Sequence, residues 1–399
     1  MSLSSDMRIK DVAREAGVST ATVSHVINKT RYVSDETRER VLRAIERCGY
    51  YPNAHARSLA SGRSNTLGLI ISDISNPFFP ELVKSIERAA FERGYDLILS
   101  NTNYEAARTS SYVQRLIERQ VAGVALMTSE LDTALVGELA RRRVCVVFLD
   151  LGSAGHCMSN IVVDYERGIE EAIAHLVALG HCEVAFVGGP RHLRSAAKRH
   201  EAFCASMRRH LPACVPQVYD GDFKLEGGQR AVRAIMERGA EEMPTAIVAA
   251  NDMMALGVMQ ELRRCELEVP RDVSVVGFDD IAFAQLAVPP LTTVSLPREE
   301  LGRRAVEALI ASIEHPEQQG TDIHIATRLV ARASTGRAPA ARRSREGELK
   351  VNPKVRDGAS APRELASPPP PRESKRLTAR GSKSIRRRRH SGAELKSAK

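Results

Sequence analysis

The sequence predicts a small all-α headpiece, then a two-lobed α/β body built on two parallel sheets, then a polar tail. Three observations carry this. Apolar residues recur at helical spacing through residues 9–48, short apolar runs alternate with amphipathic stretches every 20–30 residues from Leu67 onward, and all periodicity is lost after residue 337. At 399 residues with 43% apolar content, the chain has material for two or three packed domains.

Residues 9–28 read IKDVAREAGVSTATVSHVIN. Ile9, Val12, Ala13 and Ala16 line one face of a first helix, Gly17 can take the left-handed conformation of a tight turn, and Ser19 is placed to cap a second helix. Val18, Val23, Val26 and Ile27 give that second helix an apolar side. Its other side shows Thr20, Ala21, Thr22, Ser24 and His25, short enough to bring a helix deep into a DNA major groove. This is a helix-turn-helix pattern. Thr20, Ala21 and His25 are the candidates for base contact: Ala21 offers a methyl group, and His25 can donate to a purine acceptor. Thr22, Ser24, Asn28, Arg31 and Tyr32 suit phosphate contacts, which set register without reading sequence. A third helix is expected from Ser34, with Asp35 and Glu36 in its first turn, Val41, Leu42, Ile45 and Cys48 inward, and Gly49 as its stop. The headpiece spans 8–51, and 52–63 is a linker too poor in apolar residues to fold alone.

In the body, strands are expected near Leu67, Tyr95, Val121 and Val144, then near Val184, Val215, Thr245 and Val273, with strand-like pieces at 159–163 and 291–296. Helices such as 79–93 and 165–179 lie between them, and Gly94, Gly180 and Gly239 follow helices as C-terminal caps. This alternation implies right-handed crossovers and two similar lobes, the first about 64–162 and 294–325, the second about 163–293 and 326–337. The helix at 299–313, with Leu301, Ala305, Val306, Leu309 and Ile310 inward, returns the chain to the first lobe.

Ligands of parallel sheets gather beyond the carboxyl ends of the strands, so the polar residues closing each apolar run matter. These are Asp73, Asp150, Asn251 with Asp252, and Asp279 with Asp280. Arg199, after the Gly188-Gly189-Pro190 turn, adds a guanidinium, and Phe78 and Phe223 add apolar walls. Such a set suits a neutral polyol or sugar, whose hydroxyls both donate and accept.

Charge is unevenly spread. Residues 338–399 hold 18 Lys and Arg against 6 Asp and Glu, residues 1–63 hold 11 against 7, and residues 64–337 hold 29 against 36. A basic head and tail thus flank an acidic body, so the ends are drawn to nucleic acid and the body is not. The tail, with a proline run at 368–371 and an arginine run at 386–389, is expected to be disordered. The seven scattered cysteines include no CxxC pair, which argues against a disulfide framework or zinc site and fits a reducing cytoplasm. No run of 18 apolar residues and no apolar leader is seen, so neither a membrane span nor a secretory signal is expected. There is no GxSxG, GxxxxGK[ST] or HExxH motif, so an enzyme has nothing to stand on. His175, His181, His192, His200 and His210 read as surface residues rather than metal ligands, and no metal or cofactor is expected.

The stretch VSTATVSHVINKTRYVSDETRERV, with its continuation to Ala60, resembles almost position by position the DNA-binding headpiece of the lactose-repressor/galactose-repressor family of bacterial transcription regulators. The likeness is closest to the family's ribose- and purine-responsive branches and runs over roughly residues 8–336. It implies an allosteric repressor binding a palindromic operator as a homodimer, with a tetramer left open. It implies a periplasmic-binding-protein-like body over 64–337 that binds an effector and dimerises. It also makes 52–63 a hinge helix in which Asn53, Ala56, Arg57 and Leu59 meet the minor groove, Leu59 as the wedge. Asp150, Arg199, Asn251 and Asp279 stand at the family's sugar-contacting positions. Leu193 stands where the purine-responsive branch has a base-reading arginine and Asn251 where it has a glycine, while Ser195 and Phe223 suit that branch as well. A sugar such as ribose is therefore expected over a purine. A solute-binding protein without DNA function is the alternative class, and residues 9–63 speak against it.

Overall fold

The computed structural model describes residues 8–28, 30–50, 64–128, 130, 133–150, 154–239 and 242–339. The expected hinge contacts Asn53, Ala56, Arg57 and Leu59, and the tail from residue 340, lie outside the described residues.

The headpiece is three helices, α1 (Ile9–Ala16), α2 (Thr20–Asn28) and α3 (Asp35–Cys48). Gly17 takes φ +64°, and the Gly17 and Val18 amides close back on the Arg14 and Ala13 carbonyls at 3.2 and 3.0 Å. The Ser19 hydroxyl accepts the Thr22 amide at 3.0 Å, which starts α2. Val12, Val23, Val41 and Ala44 are fully buried between the helices. Leu42, expected inward, is 51% exposed, because the inward face of α3 runs through Val41, Ala44 and Ile45 and leaves Leu42 about 100° away.

The first lobe runs β1 (Thr66–Ile71), α4 (Phe78–Phe91), β2 (Asp96–Asn101), α5 (Ala106–Glu118), β3 (Gly123–Met127), α6 (Thr133–Arg141), β4 (Cys145–Leu149) and β5 (Met158–Asp164). The second runs α7 (Tyr165–Ala178), β6 (Val184–Val187), α8 (Arg194–His210), β7 (Gln217–Tyr219), α9 (Leu225–Glu237), β8 (Ala246–Ala249), α10 (Asp252–Arg264), β9 (Ser274–Asp279), α11 (Ala282–Leu286) and β10 (Thr292–Ser295). The chain returns through α12 (Arg298–Glu314) and β11 (Asp322–Ala326) to the first lobe and closes on β12 (Arg328–Val330) in the second.

Each lobe holds a six-stranded sheet, in the orders β11-β5-β4-β3-β1-β2 and β12-β10-β9-β8-β6-β7. All pairings are parallel except β10 with β12. β3, β6, β8 and β9 are buried along their whole length, as strands covered by helices on both faces must be. The edge strands β11 and β12 escaped sequence reading because they are short, polar and largely uncovered. α9 and α10 cross closely at Gly228 and Gly257: a Cβ at Gly257 would collide with the Leu225 carbonyl and one at Gly228 with that of Met254.

His181 is 1% exposed rather than on the surface. It bonds Thr245 at 3.0 Å and the Gly336 carbonyl at 3.0 Å, pinning the end of the body to the second sheet. His175 joins the same anchorage through Thr335 at 2.9 Å.

Candidate ligand cleft and nucleic-acid interface

The carboxyl ends of both sheets face one cavity of about 470 Å³, open solvent at its mouth included. Ser72, Asn76, Phe78, Phe79, Tyr104, Met127 and Leu149 line it from the first lobe, and Tyr165, Ser195, Arg199, Phe223, Asn251 and Asp279 from the second, with Leu296 at a crossing.

Arg199 is the centre of the polar set. Its guanidinium lies 4.2 Å from the ring centroid of Phe278, 5.2 Å from Tyr165 and 5.6 Å from Phe223. Nη1 donates to the Ala250 carbonyl at 2.5 Å and Nη2 to Asp279 Oδ1 at 3.3 Å, while Nε is buried without a hydrogen-bond partner among the described residues. An unpaired buried N–H is costly, and the packing around Nε leaves this one unsatisfied. Burial pushes the Asp279 carboxyl up to about 6, against the pull of Arg199 and Arg298. Asn251 caps α10 by accepting the Met254 amide at 2.9 Å and donates Nδ2 to the Phe223 carbonyl at 2.9 Å, which ties two cavity residues together. Burial raises the Tyr104 and Tyr165 phenols far above their ordinary value, so both are neutral hydrogen-bonding groups. Tyr104, Phe223 and Asp279 all sit at positive φ, a cost that backbones carry most often at functional sites.

Of the expected ligand residues, Phe78, Ser195, Arg199, Phe223, Asn251 and Asp279 line the cavity; Asp150 and Leu193 do not. Asp150 is consumed elsewhere: Oδ1 meets Lys198 Nζ at 2.7 Å and the Val163 amide at 3.1 Å, and Oδ2 accepts the Tyr165 hydroxyl at 2.8 Å. The Tyr165 ring occupies the wall instead. Leu193, one residue before α8, is 1% exposed and packs into the core. Among the other strand ends, Asp73 closes a local turn on Ser75 at 2.9 Å. Asp252 is buried behind the cavity on Thr293 and the Ile281 amide, its carboxyl raised by burial and by Asp279. Sequence reasoning missed Tyr104, in the loop after β2, and also Tyr165 and Ser72, which directly follow β5 and β1 but do not read as polar strand ends of the kind sought. Ser72, Thr102 and Thr128 also converge on the buried Glu130 carboxylate.

On the headpiece, Thr20, Ala21 and Asn28 are exposed and Thr22, Ser24 and His25 half-buried along α2. His25 Nδ1 bonds Thr30 Oγ1 at 2.8 Å, which leaves Nε2 for a base edge. Ser19, Thr22, His25, Arg31, Tyr32 and Arg40 share one shallow hollow beside it, and Tyr32 is 89% exposed. Among the described residues no cluster of His, Cys, Asp or Glu could hold a metal ion, and no helix is long and apolar enough to cross a membrane.

Residues 8–53 match the bacterial regulatory proteins of the lacI family, and 173–335 match the periplasmic binding protein-like domain. The Ribose operon repressor of Escherichia coli (strain K12) is 38% identical over 330 residues, covering 82% of this chain and 99% of the relative. The HTH-type transcriptional repressor PurR of Erwinia tasmaniensis is 35% identical over 335 residues, covering 83% and 97%. Among solved structures, the lac repressor dimer bound to operator and an anti-inducer superposes with a TM-score of 0.74 at 29% identity, covering 83% of this chain and all of that one. A lacI-family regulator from Enterococcus faecium with bound ribose gives 0.61 at 27% identity, covering 68% and 99%. This chain belongs to the lacI family of bacterial regulatory proteins: it is an effector-controlled, DNA-binding repressor and not an enzyme.

Proposed function

We propose that the repressor acts as a homodimer on a nearly palindromic operator and that its effector is a neutral sugar, a pentose such as ribose. The observation that carries the sugar reading is the cavity itself. It sets the Arg199 guanidinium, the Asp279 carboxylate and the Asn251 amide between aromatic faces. Sugar hydroxyls satisfy donor and acceptor together, while the ring's C–H faces pack on Phe78, Tyr165 and Phe223. The name of the Escherichia coli relative and the ribose held by the Enterococcus regulator support the same choice. A purine is the second reading, favoured by the stacked Tyr104 and Phe223 rings, 6.1 Å apart, and by the PurR relatives.

On DNA, two α2 helices would read half-sites about one helical turn apart. Thr20, Ala21 and His25 meet bases, and Thr22, Ser24, Asn28, Arg31 and Tyr32 hold phosphates. Paired hinges bring Asn53, Ala56, Arg57 and Leu59 to the central minor groove. Dimerisation draws on exposed apolar residues of the body, Phe283, Leu286 and Val288 at 52, 73 and 87% exposure, and Ile74 with Leu99 in the first lobe. The effector shifts the balance between two lobe arrangements by binding one better than the other. Such a regulator works in the bacterial cytoplasm.

The test is a thermal-shift series with ribose, other pentoses, hypoxanthine and guanine, followed by operator binding with each stabilising compound. A ligand at a hundred times its Kd should stabilise by about 2.7 kcal/mol. Stabilisation by purines alone would overturn the sugar reading.

A further inference from the structure

We propose that Arg298, braced by Glu81, is a positioning residue for effector recognition: from the first lobe it grips the turn that aims Asp279 into the cavity. The inference rests on the cleft being the effector site. Asp279 and Asp280 follow one another at φ 117° and 58°, two consecutive side-chain-bearing residues in a region that favours glycine. A backbone so strained persists only where its surroundings over-determine it.

Those surroundings come from both lobes. In the second, Arg332 pairs with Asp280 Oδ1 at 2.6 Å and Asp252 accepts the Ile281 amide at 2.9 Å. In the first, α12 lies along α4. Arg298, the opening residue of α12, donates Nη1 to the Asp279 carbonyl and Nη2 to the Asp280 carbonyl at 2.7 Å. Its Nε side is held by Glu81 of α4 at 2.8 Å, and the other Glu81 oxygen accepts the Ala282 amide at 3.1 Å. One fork thus takes both strained carbonyls, and one carboxylate holds both the fork and the next amide. Ser295, three residues before Arg298, pairs with Asp279 in the second sheet, so the fork reaches the turn beside the strand that joins the lobes, while the Glu81 bond to the Ala282 amide runs from one lobe to the other. Neither Arg298 nor Glu81 lines the cavity. Their effect on a ligand must pass through Asp279. A lobe movement that parts Glu81 from Ala282 would loosen the turn, and a ligand bound to Asp279 would favour the gripped state.

The experiment uses the full chain as wild type, Arg298→Met, Arg298→Lys and Glu81→Gln, with D-ribose titrated by calorimetry between pH 5 and 8 and hydrogen exchange of 279–286 followed without ligand. Loss of two charge-assisted bonds should weaken ribose binding about tenfold in Arg298→Met, with exchange in the segment several-fold faster. Glu81→Gln should act in the same direction, since it removes the charge that braces the fork. The Asp279 carboxyl is felt by Arg199, Arg298, Asp252, Tyr104 and Tyr165, and removing the Arg298 charge should move the pH midpoint of binding upward. Arg298→Lys should restore that midpoint but not the exchange protection, since an ammonium cannot span both carbonyls. Unchanged exchange in Arg298→Met overturns the grip whatever ribose does. Faster exchange with unchanged ribose affinity overturns the positioning role. If wild type binds no ribose, the sugar reading fails on its own, and the exchange data decide the grip.

Discussion

Asp279 carries the main electrostatic consequence of the cleft. Its carboxyl, near 3.8 in an unfolded chain, is held at about 6 by burial, so ionising it in the native state costs about 3 kcal/mol. Below pH 3.8 both states are protonated and the cost is absent; it enters as pH rises towards 6 and is constant above. Asp279→Asn should therefore raise stability at pH 7 more than at pH 4, as read by denaturant unfolding. A sugar hydroxyl donating to the carboxylate needs it ionised, so ribose affinity should fall on going from pH 7 to pH 5, and Asp279→Asn should remove that slope. At the other end of the chain, His25→Ala should cost about 1 to 3 kcal/mol at one base pair of each half-site. An equal loss on all duplexes would mean that His25 touches only the backbone. Two polar members of the cleft were legible because they end apolar runs: Asn251 and Asp279 each close a strand. Asp150 closes one too, yet it does not line the cavity. The difference is Lys198 and Tyr165, partners far along the chain whose approach no local pattern encodes.

The helices and central strands were legible as elements for the same reason that they are stable. Periods of 3.6 and runs of β-branched residues are what burial on one face or two demands. What local pattern hides is how closely two elements approach. α9 and α10 meet where Gly228 and Gly257 leave no room for a methyl group against the facing carbonyls. A backbone carbonyl cannot rotate away as a side chain would. Gly257→Ala should destabilise the second lobe by more than 2 kcal/mol, towards the upper end of overpacking costs, as seen in its thermal unfolding. Ala substituted at Gly137, where nothing lies within 4 Å, should be nearly neutral.

For the whole molecule, the uneven charge and the exposed apolar residues make separate predictions. Removing residues 338–399, with their 18 basic and 6 acidic groups, should weaken nonspecific DNA binding and flatten its salt dependence while leaving ribose binding untouched. Gel shifts on random duplex at low salt would show it. If the proposed dimer forms through the exposed face of α11, Leu286→Glu should favour the monomer in sedimentation at micromolar concentration and weaken operator binding with it, and an unchanged sedimentation profile would place the interface elsewhere.

The path of the chain between the lobes also sets a schedule for its birth. The first sheet receives its edge strand β11 and its cover helix α12 only after five of the six strands of the second sheet have been made. At 5 to 20 residues per second, a ribosome needs roughly ten to thirty seconds to travel that far from the end of β5. Throughout that interval Gly123 and its neighbours on β3 lack the Leu309 and Ile313 side chains that later cover them, and the rim of β5 has no partner. During that interval the half-finished lobe keeps apolar surface and an unpaired strand edge open, and slow codons between residues 165 and 298 would lengthen it.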